Sequence, residues 1–203
     1  MRLLVGLCVL ALYLMPASGA AQYEAGKHYV KLPPGAQAVS GNKVEVREFF
    51  WYGCPHCYQL EPYLNAWLKN LPADVSYVRT PGMSPRWLPH AQAFYTFEAL
   101  GITEQVHQDF FDAVHKKRQE LNTEDSIVQF LAAYGIDADK VRKTYGSFGV
   151  RTQMENGKNL NIRYRILSVP AITVDGRYKT DVDRKSTRLN SSHMSESRMP
   201  SSA

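Results

Sequence analysis

The chain is 203 residues long, with 24 Lys and Arg against 19 Asp and Glu, 3 cysteines and a formal charge of +5. Residues 21–183 hold 19 Lys and Arg and 18 Asp and Glu, a net +1, so the excess sits at the two ends and the body carries no footprint for a nucleic acid. Once the ends are set aside about 160 residues remain, enough for one domain with a real core and too few for two.

Met1-Arg2, an apolar run from Leu3 to Leu14 and the small residues Ala17, Ser18, Gly19, Ala20 and Ala21 form a signal-peptide layout over residues 1–20, with cleavage expected near Ala20. The run is shorter than the roughly 20 residues that cross a bilayer, which disfavours a permanent anchor. Cys8 lies before the cleavage region, which speaks against a lipoprotein, and leaves with the leader. The mature chain is then an exported protein with two cysteines.

Tyr29, Val30 and Leu32 predict a short edge strand ahead of Pro33-Pro34. In KVEVREFFWY, Val44, Val46, Glu48 and Phe50 alternate with Glu45, Arg47, Phe49 and Trp51, the period of a strand. After Cys54, the residues Cys57, Leu60, Leu64, Trp67, Leu68 and Leu71 recur at helical spacing up to Pro72. Val75, Tyr77 and Val78 start a second strand, which gives a βαβ order and a parallel pair. From Pro89 to about Gly149 the pattern is helical: His90–Leu100 ending at Gly101, a helix through Val106, Phe110 and Val114, one capped by Thr123 and stopping at Gly135, and one capped by Asp137. Val150–Tyr164 reads as a further helix despite Gly157, and Ala171–Val174, Asp175-Gly176 and Arg177–Lys179 as a hairpin. The fold class is therefore α/β with an inserted all-helical part. From Arg184 the composition changes to seven serines with few apolar residues, so 184–203 is expected to be a disordered or non-native tail that buries nothing; it resembles vector-derived read-through.

Cys54-Pro55-His56-Cys57 places two sulfurs three residues apart at a strand-to-helix junction, within reach of a disulfide. Pro55 suits the first helical position, and the free amides and positive end of the helix dipole then favour a thiolate at Cys54. His56 adds to this as a cation or hydrogen-bond donor, and a stabilised reduced state means a stronger oxidant. Cys57, on the stripe of Leu60 and Leu64, is expected to be shielded and to keep its proton, while Cys54 is expected to be open. A zinc site lacks a second cysteine pair, haem attachment would need His where Tyr58 stands, and a structural disulfide closing so short a loop gains little. Glu48 shares a face with Val44, Val46 and Phe50, which predicts a partly buried carboxylate beneath the pair. It has two readings, a proton relay to Cys57 or an ion pair with Arg79. His90, His107 and His115 show no partner spacing and are read as surface or capping residues. Phe49, Phe50, Trp51, Tyr52 and Tyr58 crowd the motif and read mostly as core. On the residues alone, Pro170 is an ordinary trans proline that starts a strand.

EFFWYGCPHCYQLEP (48–62) resembles the active-site segment of the DsbA family, and RILSVPAITVDGRY (165–178) resembles its second signature. The resemblance runs over roughly residues 27–182. It implies a thioredoxin-like fold split into 27–82 with the CPHC motif, a helical insertion over 83–149, and 150–183 with a cis-proline loop. It also implies that Cys54 is the attacked sulfur and Cys57 the resolving one, that Pro170 is cis and faces them, and that Val169 contacts substrate backbone. The family is itself a standard example of a low-pKa, oxidising pair. The implied activity is oxidation of unfolded exported proteins in the periplasm of a Gram-negative bacterium, by a monomer with no cofactor beyond the Cys54–Cys57 disulfide, reoxidised by a DsbB-like quinone-linked membrane oxidase. A reductase or isomerase of the same fold is the near rival; a dithiol metal-binding protein or a non-catalytic thioredoxin-like module is the distant one. Past Asp181 the family continues into helix where this chain has its unrelated tail, which implies a C-terminal truncation.

Overall fold

Strand β2 (Val44–Phe50) pairs in parallel with β3 (Val75–Pro81) and antiparallel with β4 (Ala171–Val174). With β5 (Tyr178–Asp181) and the two-residue edge strand β1 (Val30–Lys31) they make one five-stranded sheet in the order β1-β5-β4-β2-β3. This computed structural model describes residues 23–34 and 42–181, so the predicted signal peptide, Cys8 and the 184–203 tail lie outside the described residues. Asp175 and Gly176 both take positive φ, 53° and 60°, which closes the β4–β5 hairpin with the twist its strands require.

The two-faced reading of β2 holds only for its first half. Val44 is exposed and Glu45 is buried, and then Glu48, Phe49 and Phe50 are buried in succession, because both faces of the strand are covered at that end. Phe50 packs edge-on against Phe94 of α2 (Leu88–Leu100), and Phe49 against Tyr164 at the end of α6 (Phe148–Arg163). Helix α1 (Pro55–Leu68) joins β2 to β3 and buries Cys57, Glu61 and Leu64 on one stripe; Leu71, predicted inside it, lies beyond its end.

Between β3 and α6 the chain makes a 3-10 turn (Pro85–Trp87), α2, α3 (Thr103–His115), α4 (Glu124–Ala132) and α5 (Ala138–Tyr145). Gly101 ends α2 in the left-handed conformation, and Thr123 and Asp137 cap α4 and α5 with their side chains. Ser147 caps α6, so it starts two residues before the predicted Val150. Phe94, Phe97, Phe110, Phe111, Ile127, Leu131 and Val141 are fully or almost fully buried and fuse the helical part to the sheet in one core. Among the described residues no helix is long and apolar enough to cross a membrane.

Gly157 explains itself by packing. A Cβ there would lie inside the contact radius of Tyr95 Oη and Met83 Cε, so α6 approaches α2 only because the position has no side chain. Helix propensity alone favours Gly157→Ala by about 1 kcal/mol, whereas overpacking costs about 1–3 kcal/mol. We expect the clash to win: urea unfolding of Gly157→Ala will show a lower midpoint, and an unchanged or higher midpoint will show that Tyr95 and Met83 yield.

Candidate active site

Strand β2 delivers the chain to Trp51, and a turn closed by the Cys54 N–H to the Trp51 carbonyl leads into α1. Cys54 is extended (φ −89°, ψ 116°) and is the cap of that helix, its Sγ accepting the Cys57 N–H at 3.4 Å, with exposed Pro55 at the first helical position. Cys57 is fully buried as predicted. Cys54 is less open than predicted, only 7% exposed, because the loop before β4 lies over it: its Sγ donates to the Val169 carbonyl at 3.4 Å. The Val169–Pro170 peptide is cis and Pro170 is buried, so the loop takes the conformation the family resemblance implied and not the trans form favoured by the residues alone. Both cysteines are thiols here.

The Cys54 thiol is lowered to about 6. The largest cause is a hydrogen bond from the Cys57 thiol; the backbone N–H groups of Cys57 and His56 and the charge of exposed His56 add to it, against the opposing effect of burial. The sequence singled out the amides and His56, and the structure adds the sheltered partner as the main donor. Burial pushes the Cys57 thiol far up, helped by its hydrogen bond to Cys54 and by the Cys54 and Glu48 charges.

Glu48 is fully buried, and both sequence readings find support in its surroundings. Burial and the Glu61 charge raise it to about 7, against a hydrogen bond from Tyr77 Oη to Glu48 Oε2 at 2.5 Å and the pull of Arg79, whose Nε stands 3.8 Å away. Glu61 was missed by the sequence reading. Four residues after Cys57 on the same face, it is fully buried, 3.7 Å from Arg79 and 3.4 Å from His107 Nε2, and Arg79 reaches out to exposed Glu104 at 3.4 Å. The helical spacing alone could have found it.

The reading of His90 and His107 as surface or capping residues is overturned, while His115 is half-buried at the end of α3. His90 and His107 are buried, and burial lowers both, His90 to about 4. Tyr52 Oη and His107 Nδ1 lie 2.8 Å apart, and His115 Nε2 donates to the Tyr52 carbonyl at 2.8 Å while its ring stacks on Tyr58 at 4.7 Å. The helical part thus reaches into the site through side chains whose spacing along the sequence carries no sign of it. Tyr52 is core, as expected, and Trp51 stacks on Trp87 at 5.4 Å. Trp87 and Val169 meet over Gly82, where a Cβ would strike the Trp87 ring and press on Val169 Cγ1 at 3.3 Å.

Residues 83–190 match the DSBA-like thioredoxin domain. The thiol:disulfide interchange protein DsbA of Azotobacter vinelandii is 47% identical over 163 residues, 80% of this chain and 76% of that protein. That of Pseudomonas aeruginosa strain PAO1 is 42% identical over 167 residues, 82% of this chain and 79% of that protein. Any unbroken 163-residue stretch of a 203-residue chain includes residues 41–163, so the first alignment takes in Cys54 to Cys57. Among solved structures, a variant of Pseudomonas aeruginosa DsbA superposes with a TM-score of 0.77 at 38% identity, over 87% of this chain and 99% of that one. A variant of Proteus mirabilis DsbA, solved with a non-covalently bound peptide, gives 0.66 at 26% identity over 81% and 88%.

A thiol lowered from 9.0 to about 6 stabilises the reduced fold, fully above the unfolded thiol's value and not at all once the pH has fallen below about 6. At pH 7 this amounts to about 1.4 kcal/mol. We expect denaturant unfolding of the reduced chain to gain that much between pH 5 and 7 relative to Cys54→Ala, and iodoacetamide to label Cys54 with a midpoint near pH 6 while Cys57 stays unmodified. Equal labelling of the two, or a midpoint above pH 8, contradicts the geometry.

Proposed function

The chain belongs to the DsbA family and is a thiol:disulfide oxidoreductase that introduces disulfide bonds, and within that activity we propose that Cys54 is the sulfur attacked by substrate and Cys57 the one that leaves and later resolves. The observation that carries this reading is the asymmetry between the two thiols, one that three donors let ionise above about pH 6 and the other buried and kept protonated. A substrate thiolate attacks Cys54 Sγ of the oxidised pair, the Cys54–Cys57 bond breaks, and the electron pair leaves on Cys57 Sγ. A second substrate thiolate then attacks the substrate sulfur of the mixed disulfide and expels Cys54 as a stable thiolate. Substrate loses two electrons as its disulfide forms, and the protein gains them as one thiolate and one thiol. Val169 supports the exchange by holding its carbonyl 3.4 Å from the reacting sulfur, in the loop that cis Pro170 shapes, where an extended chain has a backbone partner.

Cys57 is a poor leaving group unless a proton reaches it, because burial makes its anion costly. Glu48, near 7, is about half protonated at neutral pH and acts as that donor, with Arg79 moderating its affinity for the proton. The two readings of Glu48 thereby describe one residue. Pro55 and His56 tune the first sulfur by position and charge.

The unfolded exported substrates, the periplasmic site of action in a Gram-negative bacterium, the DsbB-like quinone-linked membrane oxidase that restores the disulfide, and action as a monomer belong to the same proposal. They are supported by the signal-peptide pattern of residues 1–20 and by the family. Net oxidation over reduction or isomerisation is tested by equilibration with glutathione, in which the oxidised pair should be consumed at low glutathione concentration. Persistence of the disulfide under reducing glutathione points to a reductase. A dithiol metal site draws no support from the side chains, since no group of three or more candidate ligands gathers among the described residues. Failure to oxidise a dithiol peptide at all favours a non-catalytic module.

Glu48→Gln removes the proton donor but keeps the side-chain shape. We expect attack on the oxidised pair, normalised to substrate thiolate, to slow by roughly 10²-fold at pH 6 and to lose its decline through pH 7. An unaltered rate and pH profile would leave Glu48 as only an ion-pair partner of Arg79.

A further inference from the structure

Beside the reactive sulfur, on the α6 side of the cis-proline loop, lies a groove of about 690 Å³ floored by Met83 and Trp87 and walled by Ile162 and Leu167, with Lys158 and Arg165 at its rim. Leu167 is 91% exposed and Ile162 67%, large apolar side chains held in water next to one another. The groove borders the loop that covers the site. Leu167 is two residues before Val169, whose carbonyl meets Cys54, and the Trp87 ring that forms the floor meets Val169 over Gly82.

The charge at this rim is mostly of one sign. Arg165 is exposed and in the left-handed conformation (φ 51°), and exposed Arg86 places its guanidinium 5.9 Å from the centre of the Trp51 ring that stacks on Trp87. Glu155 answers Lys158 at 3.5 Å, an exposed pair that an incoming carboxylate can exchange. We propose that this groove is a recognition surface for the substrate polypeptide, one that takes an apolar residue next to an acidic one on one side of the reacting cysteine. This deepens the reading of Cys54 as the attacked sulfur and rests on it. Leu167 stands two residues from Val169, and an extended chain lying along the loop keeps a similar step per residue, so the apolar and acidic pair lies about two or three residues from the cysteine. Ile162, Leu167 and Trp87 close over the apolar side chain and exclude water from it, and Lys158 and Arg165 meet the carboxylate at the rim. The groove so selects among cysteines that the sulfur chemistry alone would treat alike.

The test uses the oxidised full chain and blocked single-cysteine heptapeptides. Leu-Asp stands two or three residues before the cysteine in one peptide and after it in another, with Leu-Lys and Ser-Asn peptides as controls, and mixed-disulfide formation at Cys54 is followed by stopped flow. At low salt one of the two Leu-Asp placements should react roughly tenfold faster than its Leu-Lys counterpart, and roughly 0.5 M sodium chloride should remove most of that advantage. In the double variant Lys158→Glu/Arg165→Glu the order should reverse in favour of Leu-Lys, and in Leu167→Ser the advantage of Leu-Asp over Ser-Asn should shrink. Equal rates for Leu-Asp and Leu-Lys at low salt, or an undiminished acidic preference after charge reversal, overturn the groove while leaving the Cys54 chemistry intact. If no peptide, Ser-Asn included, becomes linked to Cys54, the proposal falls together with the assignment of the attacked sulfur.

Discussion

A sulfur atom occupies the capping position of α1, a place where serine, threonine or aspartate usually puts an oxygen, and the chemistry of the site follows from that substitution. The first turn of a helix leaves its N–H groups without partners, and Pro55 removes one of them, so the donors that remain near Cys54 are those of His56 and Cys57. An oxygen cap would accept them and stay inert. A sulfur that accepts them becomes a better anion, and the same three-residue step that lets Cys57 close the cap brings its thiol round as a further donor. The asymmetry between the two thiols is therefore one arrangement seen from two sides: Cys57 keeps its proton because it is buried, and Cys54 gives its proton up partly because Cys57 has kept one.

Behind the pair, one buried cation serves two buried carboxylates. Arg79 stands 3.8 Å from Glu48 and 3.7 Å from Glu61, too few positive charges for both to ionise comfortably. Burial keeps the Tyr52 hydroxyl protonated and able to donate to His107 Nδ1, and the tautomer with its hydrogen on Nε2 faces a carboxylate oxygen of Glu61. The charge of Glu61, beside His107, in turn raises Glu48. Among the described residues Glu48 Oε1 has no hydrogen-bond partner, and neither has Glu61 Oε2, so each carboxyl keeps one oxygen free of donors. The helical part of the fold, through His107 on α3, thus acts on a carboxylate of the sheet without touching it.

How much of this was legible in the sequence depended on whether the signal was local. Gly101, Thr123 and Asp137 act on their own helix ends, and the turn chemistry of Asp175-Gly176 is settled within four residues, so these were read correctly. The Cys54 cap was legible for the same reason. Alternation failed in β2 because it assumes that one face meets water, and here helices cover both faces beyond Arg47. His107 was misread because its partners, Tyr52 and Glu61, are 55 and 46 residues away and only packing brings them together. Pro170 is a case of its own: nothing in its neighbours favours a cis bond, and only likeness to a family pointed to it.

The thiolate preference at Cys54 also bears on the direction of the reaction. Lowering the thiol from 9.0 to about 6 stabilises the reduced pair by about 4 kcal/mol at pH values above both, and by about 1.4 kcal/mol at pH 7, where an ordinary thiol has not yet begun to ionise. For a two-electron couple, about 1.4 kcal/mol corresponds to roughly 30 mV, so the oxidised protein is the stronger oxidant by about that amount at neutrality and by roughly three times as much in alkali. The raised thiol of Cys57 does not offset this at neutral pH, where it is protonated in folded and unfolded chains alike, but above the ordinary thiol value it opposes the alkaline gain. Protein fold and redox bias are joined at the same hydrogen bonds: whatever loosens the cap of α1 raises the Cys54 thiol, weakens the reduced fold and makes the disulfide a poorer oxidant together.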